Sequence, residues 1–213
     1  GATAPLVVVN PGGTLVLGGG VTLRNNSNAG GNGGAVYNQG TFTMLPGAAV
    51  AGNTAASGGG IYTSGAFTMQ GGSITGNTGM AGGAGVYYAG GSATLPGAVQ
   101  LGATSADNGL YMAAGLYITL RSAGLASGAR VNIEGIGNAA AGTRVASKPT
   151  GGLSDTEAGY FTYQPGGHTV ISNGVDGYIL DGAVDFTATL SVYRDGSLWA
   201  GSGKTFTLQG TNG

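Results

Sequence analysis

Four tyrosines, Tyr37, Tyr62, Tyr87 and Tyr111, recur in this sequence at steps of 25, 25 and 24, and they are the residues with most to offer a ligand. A phenol joins an apolar ring face to a hydroxyl edge, and that combination docks sugar rings. Three asparagines, Asn26, Asn53 and Asn77, return at a similar interval. An amide both donates and accepts, so each could hold a polar ligand or bond to the copy of itself in the next repeat. The acidic residues follow a different distribution. All eight (Asp107, Glu134, Asp155, Glu157, Asp176, Asp181, Asp185 and Asp195) lie after position 106. A glycosidase needs two carboxylates about 5 to 10 Å apart, and a calcium-dependent lyase needs an acidic cluster beside a basic residue. The repeats before Asp107 supply neither. The single histidine, His168, follows Pro165-Gly166-Gly167 in an evident turn, with no residue identifiable to orient it as a base. Asp155 with Glu157, and Asp181 with Asp185, read as solvated loop charges, while Arg130 and Glu134 form the most credible charged pair. No spacing for a nucleophile elbow, a phosphate loop or a metal site is present. The sequence therefore assigns no catalytic residue, metal ligand or cofactor.

The elements that must carry the tyrosines and asparagines follow from side-chain period. Phe42-Thr43-Met44, Phe67-Thr68-Met69, Ala93-Thr94-Leu95 and Ile118-Thr119-Leu120 recur at steps of 25, 26 and 25, with Leu15-Val16-Leu17 as a degenerate start. Apolar residues at every second position are the mark of a strand and cannot line one face of a helix. A fixed period in the 20s indicates a solenoid in which one unit stacks on copies of itself. Each unit holds three short apolar runs separated by glycine-rich corners. Three strands per turn with no helix between them close by winding into a three-sided coil, with successive coils paired in parallel about 4.8 Å apart. Strand crossovers of this kind are right-handed, so the fold expected is an all-β right-handed parallel β-helix of about five coils over residues 1–135.

Composition agrees. Glycine supplies 48 of 213 residues without the collagen triplet, and a hydrophobic content of 41% is enough for a core. Before position 106 the only charged residue is Arg24, which excludes the basic stripe a nucleic-acid partner would require. No apolar run approaches the length of a membrane span. The chain holds no cysteine and begins at Gly1 without a leader, so it is read as a mature or excised piece of a longer multidomain chain, monomeric by itself.

Certain segments resemble a known group. Gly58-Gly59-Gly60-Ile61-Tyr62, then Gly65-Ala66-Phe67-Thr68-Met69, then Gly71-Gly72-Ser73-Ile74-Thr75-Gly76-Asn77-Thr78, are similar to the repeats of large bacterial cell-surface proteins of the right-handed parallel β-helix, adhesin-like type. Asp107-Asn108-Gly109-Leu110-Tyr111 through Arg130-Val131 resembles the closing coil of that group, and Gly159-Tyr160-Phe161-Thr162-Tyr163 through Gly177-Tyr178-Ile179 resembles its cap. The likeness covers roughly residues 12 to 180. It implies a C-terminal β cap over residues 136–183 and a secreted or cell-surface location in a bacterium. A non-catalytic adhesive role toward a glycan or protein of a host or neighbouring cell is implied as well.

Residues 184–213 change character. Phe186 to Tyr193 alternates as a half-buried strand, Asp195-Gly196 is a hairpin signal, and Lys204 to Leu208 reads as the returning strand. This looks like the first hairpin of a truncated immunoglobulin-like surface module.

Two rival functions stand beside adhesion. Polysaccharide lyases and glycosidases share this fold, and a solenoid can be an inert spacer. The tyrosines can equally serve only to stabilise the ladder by cross-strand stacking. The threonine column Thr43, Thr68, Thr94 and Thr119 lacks the doubled row an ice-binding surface needs, since its partner column reads Thr41, Ala66, Ser92, Tyr117. Those threonines read as ordinary β-branched surface residues. The asparagines are expected to form an internal amide ladder.

Overall fold

The structure, a computed structural model, describes residues 3–97, 99–102, 108–140, 142–165, 169–174, 176–180, 193–194 and 197–198. It is a parallel β-solenoid of about six turns. Three walls are formed by strands stacked in register. The first wall stacks Val7–Val9, Val36–Asn38, Ile61–Thr63, Val86–Tyr88, Leu110–Met112 and the later part of Arg130–Ile136. The second stacks Thr14–Leu17, Thr41–Met44, Ala66–Met69, Ser92–Thr94, Ile118–Thr119 and Arg144–Ser147. The third stacks Thr22–Arg24, Ala49–Ala51, Ser73–Thr75, Gln100–Leu101, the start of Arg130–Ile136 and Phe161–Tyr163. A short fourth ladder, Ser27–Asn32, Thr54–Ser57 and Thr78–Gly79, lines the corner between the third and first walls.

Alternation fixes which residues face inward, because a strand has only two faces and one must fill the coil. Val36, Ile61, Val86 and Leu110 are aligned in the first wall and Phe42 with Phe67 in the second, and all are fully buried. Val50, Ile74 and Leu101 stack in the third. The two phenylalanine rings lie 5.5 Å apart, one above the other. Met44, Met69, Leu95, Ile118 and Leu120 complete the interior.

The glycine triplets serve coil-to-coil approach. Gly59 donates its amide to Gly83 O, and a Cβ on Gly59 would stand 2.4 Å from the Thr78 carbonyl carbon. No side chain fits at this rung, and the requirement is local, since the residue aligned with Gly59 on the next rung is Ala84.

The sixth rung was not expected from the repeats. Residues 133–136, Ala146 with Ser147, and Phe161–Tyr163 build it, although none carries the Phe-Thr-Met or Ile-Tyr signature. Beyond it the chain reverses direction. Thr169–Ser172 and Asp176–Leu180 form an antiparallel pair that also meets Phe161–Tyr163 on one side and Arg144–Ser147 on the other. This hairpin caps the C-terminal end of the solenoid, while Arg144–Ser147 and Phe161–Tyr163, within the span 136–183 expected as the cap, belong to the parallel ladders instead. Arg144 is tied into it, with its guanidinium 3.6 Å from the Tyr117 ring centroid and 3.5 Å from the Asp176 carboxylate.

The cap corrects one sequence expectation. Asp155 is exposed, as a solvated charge should be, but Glu157 is buried. It lies on the short helix Asp155–Ala158, capped by Ser154, and accepts from Lys148 Nζ at 2.9 Å, Ser154 N at 3.0 Å and Ser154 Oγ at 3.0 Å. Burial pushes the Glu157 carboxyl upward, but these donors outweigh it and hold the carboxyl below its ordinary value. The capping-box spacing, Ser154 to Glu157, signals the helix, whereas the Lys148 partner nine residues earlier comes from the packing.

The chain divides into two units, residues 1–182 and 183–213. In the second, Tyr193–Arg194 pairs antiparallel with Ser197–Leu198. The remainder of the expected hairpin module lies outside the described residues, as do His168, Asp107, Asp181, Asp185 and Asp195.

Candidate functional site

Each column tyrosine occupies the middle of a three-residue strand whose flanking residues point into the core. Val36 and Asn38 around Tyr37, and Ile61 and Thr63 around Tyr62, are fully buried, so the tyrosines face outward. Register aligns Tyr37, Tyr62, Tyr87 and Tyr111 on successive rungs. Their ring centroids are 5.4, 5.4 and 5.0 Å apart, with interplanar angles of 21°, 11° and 22°. Successive rings therefore cover each other's faces. The column offers a row of edges and hydroxyls about one strand spacing apart, rather than the free ring faces that a sequence reading alone suggests. Burial, and then the neighbouring Tyr37 and Tyr87, push the Tyr62 phenol upward, keeping it a neutral hydroxyl.

The column ends asymmetrically. Val8 continues it beyond Tyr37 with an exposed aliphatic side chain, and Gly135 continues it beyond Tyr111 with none. A Cβ on Gly135 would stand 3.0 Å from Tyr111 Cε2, so glycine is what lets this last ring lie where it does.

Asn26, Asn53 and Asn77 form a buried column at the corner between the third wall and the short ladder. Asn26 N donates to Asn53 Oδ1 at 3.1 Å, and Asn53 N to Asn77 Oδ1 at 2.9 Å. Asn53 Nδ2 also donates to Asn77 Oδ1 at 3.0 Å and to Leu23 O at 3.0 Å. The column has a fourth member absent from the sequence reading. Asn108 Oδ1 accepts from both Asn77 N and Asn77 Nδ2. The step from Asn77 to Asn108 is 31 residues, longer than the others, and a search at constant period passes over it. A second amide pair inside the first wall, Asn38 Nδ2 to Thr63 Oγ1 at 2.9 Å, is hidden in the sequence because its partner changes type between rungs.

The remaining polar feature is Glu134. Leu110 pairs with Ile133 and Tyr111 with Gly135, so Glu134 is the extra residue of a bulge in Arg130–Ile136. The bulge re-aims its carboxylate, which accepts from Ala84 N at 2.9 Å and 3.1 Å and from Gly109 N at 2.8 Å. An earlier rung satisfies the equivalent amides with backbone carbonyls, since Gly59 N donates to Gly83 O and Gly60 N to Ala84 O. At this rung the carboxylate takes the carbonyl's place. Glu134 also lines an open concavity of about 420 Å³ with Gly79, Ala84, Gln164 and Pro165.

Among the described residues no group of three or more His, Cys, Asp or Glu side chains is placed to hold a metal ion, and no helix is long and apolar enough to cross a membrane. No family model, no curated protein and no solved structure matches the chain.

Proposed function

We propose that this chain is a non-catalytic, adhesin-like module of a bacterial cell-surface or secreted protein, which binds a neutral glycan of a host or neighbouring cell along the tyrosine column of its first wall. The observation carrying this reading is the column itself, four outward hydroxyl-bearing rings at 5.0 to 5.4 Å intervals. A ligand lying along it meets one hydroxyl per rung. An extended peptide advances about 3.3 Å per residue and returns to the same face at about twice that, so neither interval matches the rungs. A chain of sugars linked in extended form carries hydroxyls at intervals nearer to the rung spacing. The coils bearing the column are almost free of charge, which favours an uncharged partner. Binding is then weak per rung, additive with ligand length and nearly independent of ionic strength.

The test is titration of neutral oligosaccharides of increasing length against the protein and a Tyr62→Ala/Tyr87→Ala double variant, at low and high salt. The expected result is affinity that rises with length, changes little with salt and falls at least tenfold in the variant. Equal affinity in both proteins removes the column from the mechanism. Turnover of any oligosaccharide places the chain among the polysaccharide-degrading enzymes, and absence of binding across the panel makes it a spacer.

A further inference from the structure

The tyrosine column and the Glu134 concavity meet at one end of the first wall. Gly79 and Ala84 line the concavity, and Gly82 between them approaches Tyr111 so closely that a Cβ there would lie 3.3 Å from the ring. From the opposite side, Gln164 and Pro165 follow Tyr163, whose phenol is pushed upward by burial and then by the proximity of Tyr111. Tyr111 thus lies beside the concavity, one residue along the wall from its lining. Its far side carries no ring from the next rung because that rung has Gly135.

The polar groups in the concavity have capacity to spare. Glu134 Oε1 accepts from Ala84 N and Gly109 N, whereas Oε2 accepts from Ala84 N alone, and a carboxylate has about four acceptor sites. The backbone amides hold this carboxylate in place before any ligand arrives, so little ordering is needed on binding. Gln164 is exposed, and its Oε1 meets Asn132 Nδ2 only at 3.5 Å, the limit of a hydrogen bond. Pro165 adds an apolar surface. An acceptor, an amide and an apolar edge around about 420 Å³ match one or two sugar rings, at the lower end of ordinary ligand sites. Anionic sugars are disfavoured by the carboxylate.

We propose that this concavity is the anchoring subsite of the module, and that it takes the terminal residue of a neutral glycan, with Glu134 Oε2 and Gln164 bonding its hydroxyls and Pro165 meeting its apolar face. The proposal rests on the glycan reading of the column and adds a polarity to it. The glycan end sits at the Gly135 end and the rest of the chain runs toward Tyr37. The subsite contributes more than any single rung of the column, which adds to it with ligand length, and a single sugar suffices to detect the site.

The experiment is titration, followed by amide chemical shifts, with glucose, galactose, mannose and N-acetylglucosamine and their short oligomers as probes. The proteins compared are wild type, Gln164→Ala, Glu134→Gln and the Tyr62→Ala/Tyr87→Ala double variant, with Thr68→Ala on the second wall as a control. Gln164→Ala leaves the fold intact because the side chain is exposed, and an unchanged melting curve verifies it. The expected result is a monosaccharide that shifts the amides of Ala84, Gly109 and Gly135, with affinity lowered about tenfold in Gln164→Ala, the scale of one lost hydrogen bond. A glycan whose affinity is unchanged in Gln164→Ala but falls in the Tyr62→Ala/Tyr87→Ala variant overturns the subsite and leaves the column reading standing. Failure of every probe to bind wild type overturns both. Loss in Gln164→Ala with no loss in the tyrosine variant upholds the subsite and removes the column.

Discussion

At the C-terminal end of the solenoid, the outer edges of Arg144–Ser147 and Phe161–Tyr163 are bridged by the antiparallel cap strands Thr169–Ser172 and Asp176–Leu180. At the N-terminal end, no described strand pairs with the outer edges of Val7–Val9, Thr14–Leu17 and Thr22–Arg24. The core registers the difference. Val7, Leu15 and Leu23 occupy the same columns as Val36, Phe42 and Val50, yet they are half-buried where their neighbours one rung along are fully buried. Val131, Ile133 and Phe161 at the other end remain buried to within a few per cent. Val9 and Leu17 of the same coil are nonetheless buried, so only part of the inner face depends on having a rung on each side. Of the five strongly exposed large apolar residues among the described residues, Leu6, Val8, Val16 and Val21 all lie in the first coil. The cap also closes sheet edges that would otherwise invite pairing with another chain.

The sharpest test of this contrast truncates equivalent core residues at different rungs. Phe67→Ala is expected to lower stability by about 3 to 5 kcal/mol, and Leu15→Ala in the same wall by about 1 kcal/mol, measured by denaturant unfolding. Similar losses at both positions would show that the first coil is covered after all. The asparagine column gives a smaller effect. Asn77→Ala leaves the Asn53 backbone amide without its acceptor and removes one of the acceptors of Asn53 Nδ2, and should cost about 1 to 3 kcal/mol, whereas Asn26→Ala at the first rung should cost less than half of that. Thermal melts of the two variants decide, and equal losses would mean that position along the column is immaterial.

The smallest expected effect concerns acid. The folded pKa of Glu157 lies below its ordinary value near 4.5, so its contribution is complete above that pH and is lost as pH falls through the folded value. Hydrogen exchange over the pH range below 4.5 should show protection in Arg144–Ser147 and Phe161–Tyr163 declining, while Ala66–Met69 stays protected. A Glu157→Gln variant should remove the pH dependence, and uniform loss across all rungs would refute a local role for the ion pair.

How legible these features were depends on whether they repeat. Phe42 over Phe67 and the four stacked tyrosines follow from a 25-residue period and alternation, because a stacked ladder converts equal sequence spacing into direct contact. The sixth rung was illegible for the opposite reason. Its strands are separated by insertions, and hydrogen bonding to the rung before it, rather than a sequence motif, holds them in line. The role of Glu134, expected as the partner of Arg130, and the place of Asn108 in the amide column were missed for related reasons. One is redirected by a bulge, and the other stands after a corner of different length. The Lys148–Glu157 pair depends on the packing of the cap, about which local pattern says nothing.

The stacking of rungs has a mechanical consequence. Each rung bonds only to its neighbours, and the strands run across the stacking direction, so tension through the chain peels the ladders open instead of shearing them all at once. Every rung that yields frees about 25 residues, roughly 80 to 90 Å of slack. Under load the first coil, whose strands pair with described strands on one side only, gives way before the closed end. The domain then lengthens in discrete steps and spares whatever is bound near Gly135 until the last of them.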